Sequence, residues 1–412
     1  MSWGKAGPLA RLSAVVAAAA VMSGCWLQIG GGPEHSGFAP DENTLTTANV
    51  GSLGQLWQSA EAVTTSSEVV TSAGRGYVSD RLRFRDTFGA RVVALDLATG
   101  ATAWSQRIGG EGIELDVSPV VVVGDEVWVS YNARDIDGCR AELLALDAAT
   151  GAIRRTVFAG RTSAVVPFAG KVAWTGYEQP TQNCLTAPPR LYVADAATGN
   201  LLWTAPVHGM PFPTVVGSRV IVDGRAYDAT GCGAFVCEAV WEATIGSPIR
   251  AVFGSTDGHI FATSETGRIV ALDPATGATL WSASLPPDAV ANPIGGAVAG
   301  GRLYVVLAGS ATTLAVYDAG GCGAATCAPV WSALQFAIAH SGPVVAGGVV
   351  YVPEDNFLTA YRADGCGQPT CTPTVVVPSS ADGPLSVSDG KVLMPTGGST
   401  GSTGVVLAFG AA

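Results

Sequence analysis

Short runs of apolar residues, each closed by a polar turn, account for most of this chain of 412 residues. The clearest is 269–281, IVALDPATGATLW, in which an apolar strand ends in Asp273, a turn follows, and a second strand reaches Trp281. The pattern returns at 93–104 (VALDLATGATAW), 144–155 (LALDAATGAIRR) and 192–203 (YVADAATGNLLW). Eight positions separate Asp96 from Trp104, Asp147 from Arg155, Asp195 from Trp203 and Asp273 from Trp281. Three longer copies, at 225–241, 315–331 and 359–375, put thirteen positions between Asp228 and Trp241, Asp318 and Trp331, and Arg362 and Val375. Each longer copy carries its own Cys-x4-Cys.

The unit reads as a tight strand–turn–strand. Alternation before the Asp puts apolar side chains on one face. Asp bonds its own backbone two residues on, and Gly accepts the positive φ that such turns require. A second apolar theme lies between the hairpins, at 118–128, 213–222, 293–305 and 341–352, and each reads as two strands joined at a Gly. Together they predict four strands per unit. A hairpin with one apolar face must stack on copies of itself, and an anchor spacing of about 45 residues matches propeller blades. The expected fold is all-β, an eight-bladed β-propeller of four-stranded antiparallel blades. The last copy, 404–409, has the strand before the turn and lacks the one after it, whereas 53–57 (LGQLW) is the reverse. N- and C-terminal strands sharing one blade would close the ring. No helix of any length is expected.

Composition adds an address. Lys5 and Arg11 precede or open an apolar run, 12–22, too short to span a bilayer, and 22–25 reads Met-Ser-Gly-Cys. This resembles the lipobox of bacterial lipoproteins, with Met22 where Leu is usual. The resemblance implies a signal peptide over 1–24 and lipidation of Cys25, and hence an extracytoplasmic protein anchored to a bacterial membrane. Residues 25–52 are then the lipidated Cys, a tether and a segment over the domain surface, and 53–412 is the propeller. Eight cysteines remain, an even number suited to an oxidising compartment. Cys232–Cys237, Cys322–Cys327 and Cys366–Cys371 read as local disulfides rather than metal sites, because two thiols without a second pair or a nearby His fall short of the four ligands zinc takes. Cys139 and Cys184, in adjacent units, are read as a bridge between blades, with free thiols as the alternative. The net charge of −11 and the absence of a basic run argue against a nucleic-acid partner.

The recurring Ala-x-Asp-x-x-Thr-Gly-x-x-x-Trp, at 94–104 and 271–281 and in varied form at 194–203, resembles the PQQ-like (quinoprotein) propeller repeat. The resemblance implies that Asp96, Trp104, Asp147, Asp195, Trp203, Asp228, Trp241, Asp273, Trp281, Asp318 and Trp331 latch adjacent blades. It says little about activity, since the repeat serves quinone-dependent dehydrogenases and envelope scaffolds alike.

No catalytic set, cofactor-binding residue or metal site emerges from the residues. The adjacent Cys-Cys of the quinone dehydrogenases is missing, as is a haem motif Cys-x-x-Cys-His. Glu68, Glu114, Asp116, Asp382 and Glu354-Asp355 are acids near the inner strands, and none maps onto a family ligand. Residues 135–138 match a fragment of a calcium loop without its first and twelfth ligands. His35, His208, His259 and His340 are scattered. The expectation is a monomeric, non-catalytic scaffold or binding module of the cell envelope, with protein partners and without a cofactor. The alternatives are a PQQ-dependent oxidoreductase using calcium, and a small-molecule sensor using the propeller channel.

Overall fold

The computed structural model describes residues 25–63, 67–83, 87–112, 114–135, 138–178, 188–286, 293–308, 312–339, 341–380, 383–396 and 404–411. Residues 1–24, 136–137, Cys184, His340 and Asp382 lie outside them, as do the side chains of Glu114 and Asp135. Among the described residues the helical content is one 3-10 turn, Val50–Ser52, and no helix is long and apolar enough to cross a membrane. Among the same residues the sheets are antiparallel except for two short parallel pairings, Phe38–Ala39 with Val345–Ala346 and Ser282–Ala283 with Thr326–Cys327.

The first sheet orders Val70–Ser72, Arg75–Arg83, Phe88–Asp96 and Thr102–Gly112. The same four-strand succession recurs along the chain. The units at 121–162 and 166–206 merge into one nine-stranded sheet, because Gly160, Arg161 and Thr162 pair with Glu178, Tyr177 and Gly176. Further units run from Thr214–Val216 to Trp241–Glu242, from Ile249–Gly254 to Thr279–Ala283, from Pro293–Ala299 to Trp331–Leu334, and from Val344–Ala346 to Val375–Pro378. In the last sheet, Ser386–Ser388, Lys391–Pro395 and Val406–Ala411 are completed by the N-terminal strand Leu53–Gln58, which pairs with Val406–Ala411. The two incomplete copies at the ends of the chain thus share one sheet, as their sequences predict.

The core is a series of apolar layers, each between consecutive units. One layer joins Tyr77, Val92 and Ala94 of the first unit to Val127, Val129 and Leu144 of the second. Another joins Trp331, Leu314 and Val316 to Val345, Val350 and Tyr361. A layer of Val78, Val93 and Leu95 with Leu393, Val406 and Ala408 joins the first sheet to the last. Each buried Val or Leu of these layers contributes roughly 1.5–3 kcal/mol relative to exposure.

The Asp-to-Trp element works as a latch. In the turn after Ile269–Leu272, Asp273 Oδ1 accepts the Ala275 and Thr276 N–H groups at 2.9 and 2.8 Å and the Thr276 hydroxyl at 2.9 Å. These bonds, the Thr276 hydroxyl foremost, hold its carboxyl below the usual range. Gly277 has φ 71°, and a Cβ there would lie 2.4 Å from Trp241 Cε3 of the preceding unit. The indole Nε1 groups of Trp57, Trp104 and Trp241 donate to the turn carbonyls of Leu97, Ala148 and Pro274 in the following unit. Arg155, which stands where a Trp is otherwise found, reaches the Ala197 carbonyl at 3.2 Å and Glu126 at 2.8 Å.

The longer copies differ in a way their spacing conceals. Their turns reach the glycine one residue earlier, as Asp228-Ala-Thr-Gly231 against Asp273-Pro-Ala-Thr-Gly277. Trp203, Trp281 and Trp331 still stack on Gly231, Gly321 and Gly365. Yet the Nε1 groups of Trp203 and Trp331 are buried with no protein acceptor.

The three Cys-x4-Cys pairs form local disulfides. Each closed loop also docks on the outer strand of the preceding sheet. Cys237 N donates to Thr204 O, Ser284 N to Cys327 O, and Cys371 N to Ser332 O, all at 2.8 Å. The insertions therefore cover sheet edges that would otherwise present unpaired backbone groups. Cys139, on Gly138–Asp147, is disulfide-bonded.

Candidate functional site

The segment from Cys25 to Glu42, expected to form a tether and cross the surface, lies instead along the first strands of the sheets. Each first strand is paired on one side, which leaves inward N–H groups in need of acceptors. The segment supplies them. The N–H groups of Thr71, Val122, Val215, Gly254, Val298 and Val345 donate to the carbonyls of Trp26, Leu27, Pro33, Glu34, Ser36 and Gly37, at 2.7–2.9 Å. In the remaining first strand between these, Val166–Phe168, the equivalent residue is Pro167, which has no N–H to satisfy. The chain uses that interval for turns, with Gly31 N on Gln28 O and His35 N on Gly32 O. It then pairs in parallel through Phe38 and Ala39 with Val345 and Ala346. Finally Glu42 Oε2 accepts the Gly390 N–H at 2.9 Å. Trp26 and Leu45 are fully buried. A stretch rich in Gly and Pro with no periodicity looks like linker. What its composition hides is that irregular backbone fits edges contributed by successive sheets.

Two ionisable groups hold this segment. Glu68 Oε2 accepts Trp26 Nε1 at 2.6 Å and Gly30 N at 2.8 Å. Burial raises its carboxyl to about 7 in spite of those bonds. His35 has φ 51° and packs by Thr214, and burial lowers its imidazole to about 4, so it is neutral at physiological pH.

Of the other acids noted in the sequence, Glu354 and Asp116 have structural partners. Glu354 is buried, accepting the Thr359 hydroxyl at 2.6 Å and the Ala337 N–H at 2.7 Å, and burial raises its carboxyl. It thereby fixes the loop that displays Leu334, Phe336 and Ile338, which are 62%, 62% and 54% exposed. Asp116 pairs with Arg161 at 3.3 Å, and His259 Nδ1 with Asp257 at 2.9 Å. Among the described residues no three carboxylate, imidazole or thiol groups converge as a metal site would require.

One pocket of about 310 Å³ opens beside the segment, between the unit that begins at Thr214 and the unit that begins at Ile249. His35 and Thr214 form one wall and Asp223 another. Asp223 and Gly224, with φ 52° and 74°, form the two-residue turn between Arg219–Val222 and Arg225–Asp228. That is the Asp-Gly hairpin signal, which would have located Asp223 in the sequence.

The repeated four-stranded sheets, the Asp–Trp latches and the apolar layers between units define a propeller of PQQ-like repeats. A family described as outer membrane protein assembly factor BamB matches residues 41–184 and 237–365, and the chain belongs to it. Among curated proteins no relative matches. Many solved structures share the fold, and two of them serve as examples. Quinohemoprotein alcohol dehydrogenase from Comamonas testosteroni is 14% identical with TM-score 0.51, over 95% of this chain and 81% of the other. The computationally designed protein Ika8 is 14% identical with TM-score 0.55, over 87% and 98%. The disulfides suit an oxidising compartment.

Proposed function

We propose that this chain is a non-catalytic binding module of the cell envelope, built as a closed ring of eight blades and anchored by lipid on Cys25. Closure is supported by the strand shared between the chain ends, by the apolar layer joining the first and last sheets, and by Trp57 latched on Leu97. Ser386 Oγ donating to Val69 O at 2.7 Å links the innermost strands across the same seam.

The observation that carries the non-catalytic reading is the course of residues 26–42. In a closed ring the first strands line the axis, and their inward N–H groups are already taken by the chain's own carbonyls. Among the described residues, the side chains of this segment and its anchor whose titration is shifted are Glu34, His35 and Glu68, two carboxyls and a neutral imidazole. PQQ is a planar tricarboxylate, and these two carboxyls and neutral imidazole offer it no cation, which counts against its binding there. Incubation with PQQ and calcium, followed by gel filtration and absorbance spectroscopy, should give protein without cofactor; a stoichiometric signal would overturn the reading.

Lipidation of Cys25 would leave no slack, because Trp26 is buried and bonded to Thr71 at 2.8 Å. The domain would sit against the bilayer. Cys25→Ser should move the protein to the soluble fraction of cells, and retention in the membrane pellet would refute the anchor. The exposed apolar loop at Leu334, Phe336 and Ile338 is the surface best suited to a protein partner. A photo-crosslinker at position 336 in intact cells should give a discrete adduct, and its absence would exclude this loop as the contact.

A further inference from the structure

The three Cys-x4-Cys loops do one job in one geometry, yet they differ in what they show to solvent. Thr204 N donates to Phe235 O, Ser282 N to Ala325 O and Ser332 N to Pro369 O, at 2.8–2.9 Å. The next residue of each loop, Val236, Thr326 or Thr370, bridges in parallel to that same strand residue. One residue further on, Cys237, Cys327 and Cys371 are buried. Residues 235–236, 325–326 and 369–370 are therefore equivalent, and all six are exposed. Two loops fill these places with Ala-Thr and Pro-Thr. The first fills them with Phe235 and Val236, 57% and 49% exposed. Covering a sheet edge does not call for apolar side chains here, because the sister loops do it without them. The strand beneath the first loop, Leu201–Pro206, adds Leu201 and Leu202, 37% and 42% exposed.

These four side chains leave on the order of 400 Å² of apolar surface in water, about the apolar half of the ~800 Å² that each partner gives to a standard protein interface. The surface is also free of charge. No Asp, Glu, Lys or Arg occurs between Asp195 and Arg219 or between Asp228 and Glu238. A chain of net charge −11 repels its own copies wherever acids face one another, and this patch presents none. We propose that two copies of the chain associate through this rim, with Phe235 of each copy as the central anchor. A twofold contact needs one patch that complements itself, which a neutral apolar surface does and a charged one does not. The contact stands apart from the loop at Phe336 and does not depend on the partner or the anchor proposed above.

The test is sedimentation equilibrium of the full chain in its Cys25→Ser form, from about 1 to 100 μM. A monomer–dimer equilibrium is expected, and raising the salt should not weaken it, since no ion pair is screened. The double variant Phe235→Ala, Val236→Thr carries the residues that Ala325 and Thr326 supply in the sister loop, so it should keep the wild-type melting profile. Its dissociation constant should rise about tenfold or more. Phe336→Ser, on the other apolar surface, should associate as the parent does. A photo-crosslinker at position 235 in intact cells should link two copies of the chain. A monomer throughout the concentration range, association retained by the double variant, association lost in Phe336→Ser, or an adduct with a different protein would each overturn the proposal.

Discussion

Glu68 and His35 grip the same segment and titrate in opposite senses, and this makes a quantitative test of its buried course. The folded protein holds a proton on Glu68 more tightly than the unfolded chain does, with the carboxyl moved from 4.5 to about 7. Its contribution to stability is therefore whole below pH 4.5 and is lost as pH rises to about 7. His35 moves from 6.5 to about 4, so its contribution is whole above pH 6.5 and is lost as pH falls to about 4. At about 1.36 kcal/mol for each tenfold change in proton affinity, each swing is worth at most about 3 kcal/mol. From pH 4.5 to 6.5 the two slopes cancel, and the wild type hides both. Glu68→Gln keeps a neutral acceptor for Trp26 and removes one slope, while His35→Asn keeps a residue tolerant of positive φ and removes the other. Urea unfolding at intervals from about pH 4 to 8 reads the difference. Relative to wild type, Glu68→Gln should gain stability as pH rises from 4.5 to 7, and His35→Asn should gain it as pH falls from 6.5 to 4. The turn aspartates, held below 3.8, titrate at lower pH in all three proteins alike and drop out of the difference. If either variant tracks the wild type at a constant offset across its window, the group is solvated and the segment is not packed as described.

Three further outcomes follow from the latches and the edges. Trp241→Phe removes a donor from the Pro274 carbonyl, whereas Trp331→Phe removes an N–H that has no partner; in thermal unfolding the first should cost about 1 kcal/mol more than the second. Gly277→Ala should destabilise by about 2 kcal/mol or more, because strain at φ 71° adds to a clash with Trp241, while Gly233→Ala, with φ 80° and open space, should cost only about 1 kcal/mol. Replacing Cys322 and Cys327 together by Ser should cost about 2 kcal/mol and expose the outer strand Thr279–Ala283, to be read by denaturation and by light scattering on warming.

Much of the architecture was legible because it rests on local chemistry repeated many times. Asp273, Thr276, Gly277 and Trp281 each have a role that follows from residue type and spacing, and the Cys-x4-Cys loops close as their separation suggests. The ends of the chain declared their shared sheet by what each copy lacked. Residues 26–42 were not legible, since their bonds go to backbone groups distributed over the whole chain and no side-chain pattern encodes them. Pro167 is the one clue, and it has meaning only when aligned in space with Thr71, Val122 and Val215. His35 and Asp223 come together from different parts of the chain in the same way. The loss of the indole bond at Trp203 and Trp331 could have been read from the shorter turn, had the glycines rather than the Asp and Trp been aligned.

The order in which the chain is made and the order in which it can settle run against each other. Residues 26–42 emerge before every sheet, yet their partners extend from Thr71 to Gly390, and Leu53–Gln58 must wait for Val406–Ala411. Closing such distant contacts is slow. The segment is satisfied step by step as each sheet forms, and a chain cut short near its C-terminus would lose the Glu42 partner Gly390 and the strand that pairs with Leu53–Gln58. Completion of the domain is thus registered at residues 42–58, whose last contacts exist only in a finished molecule.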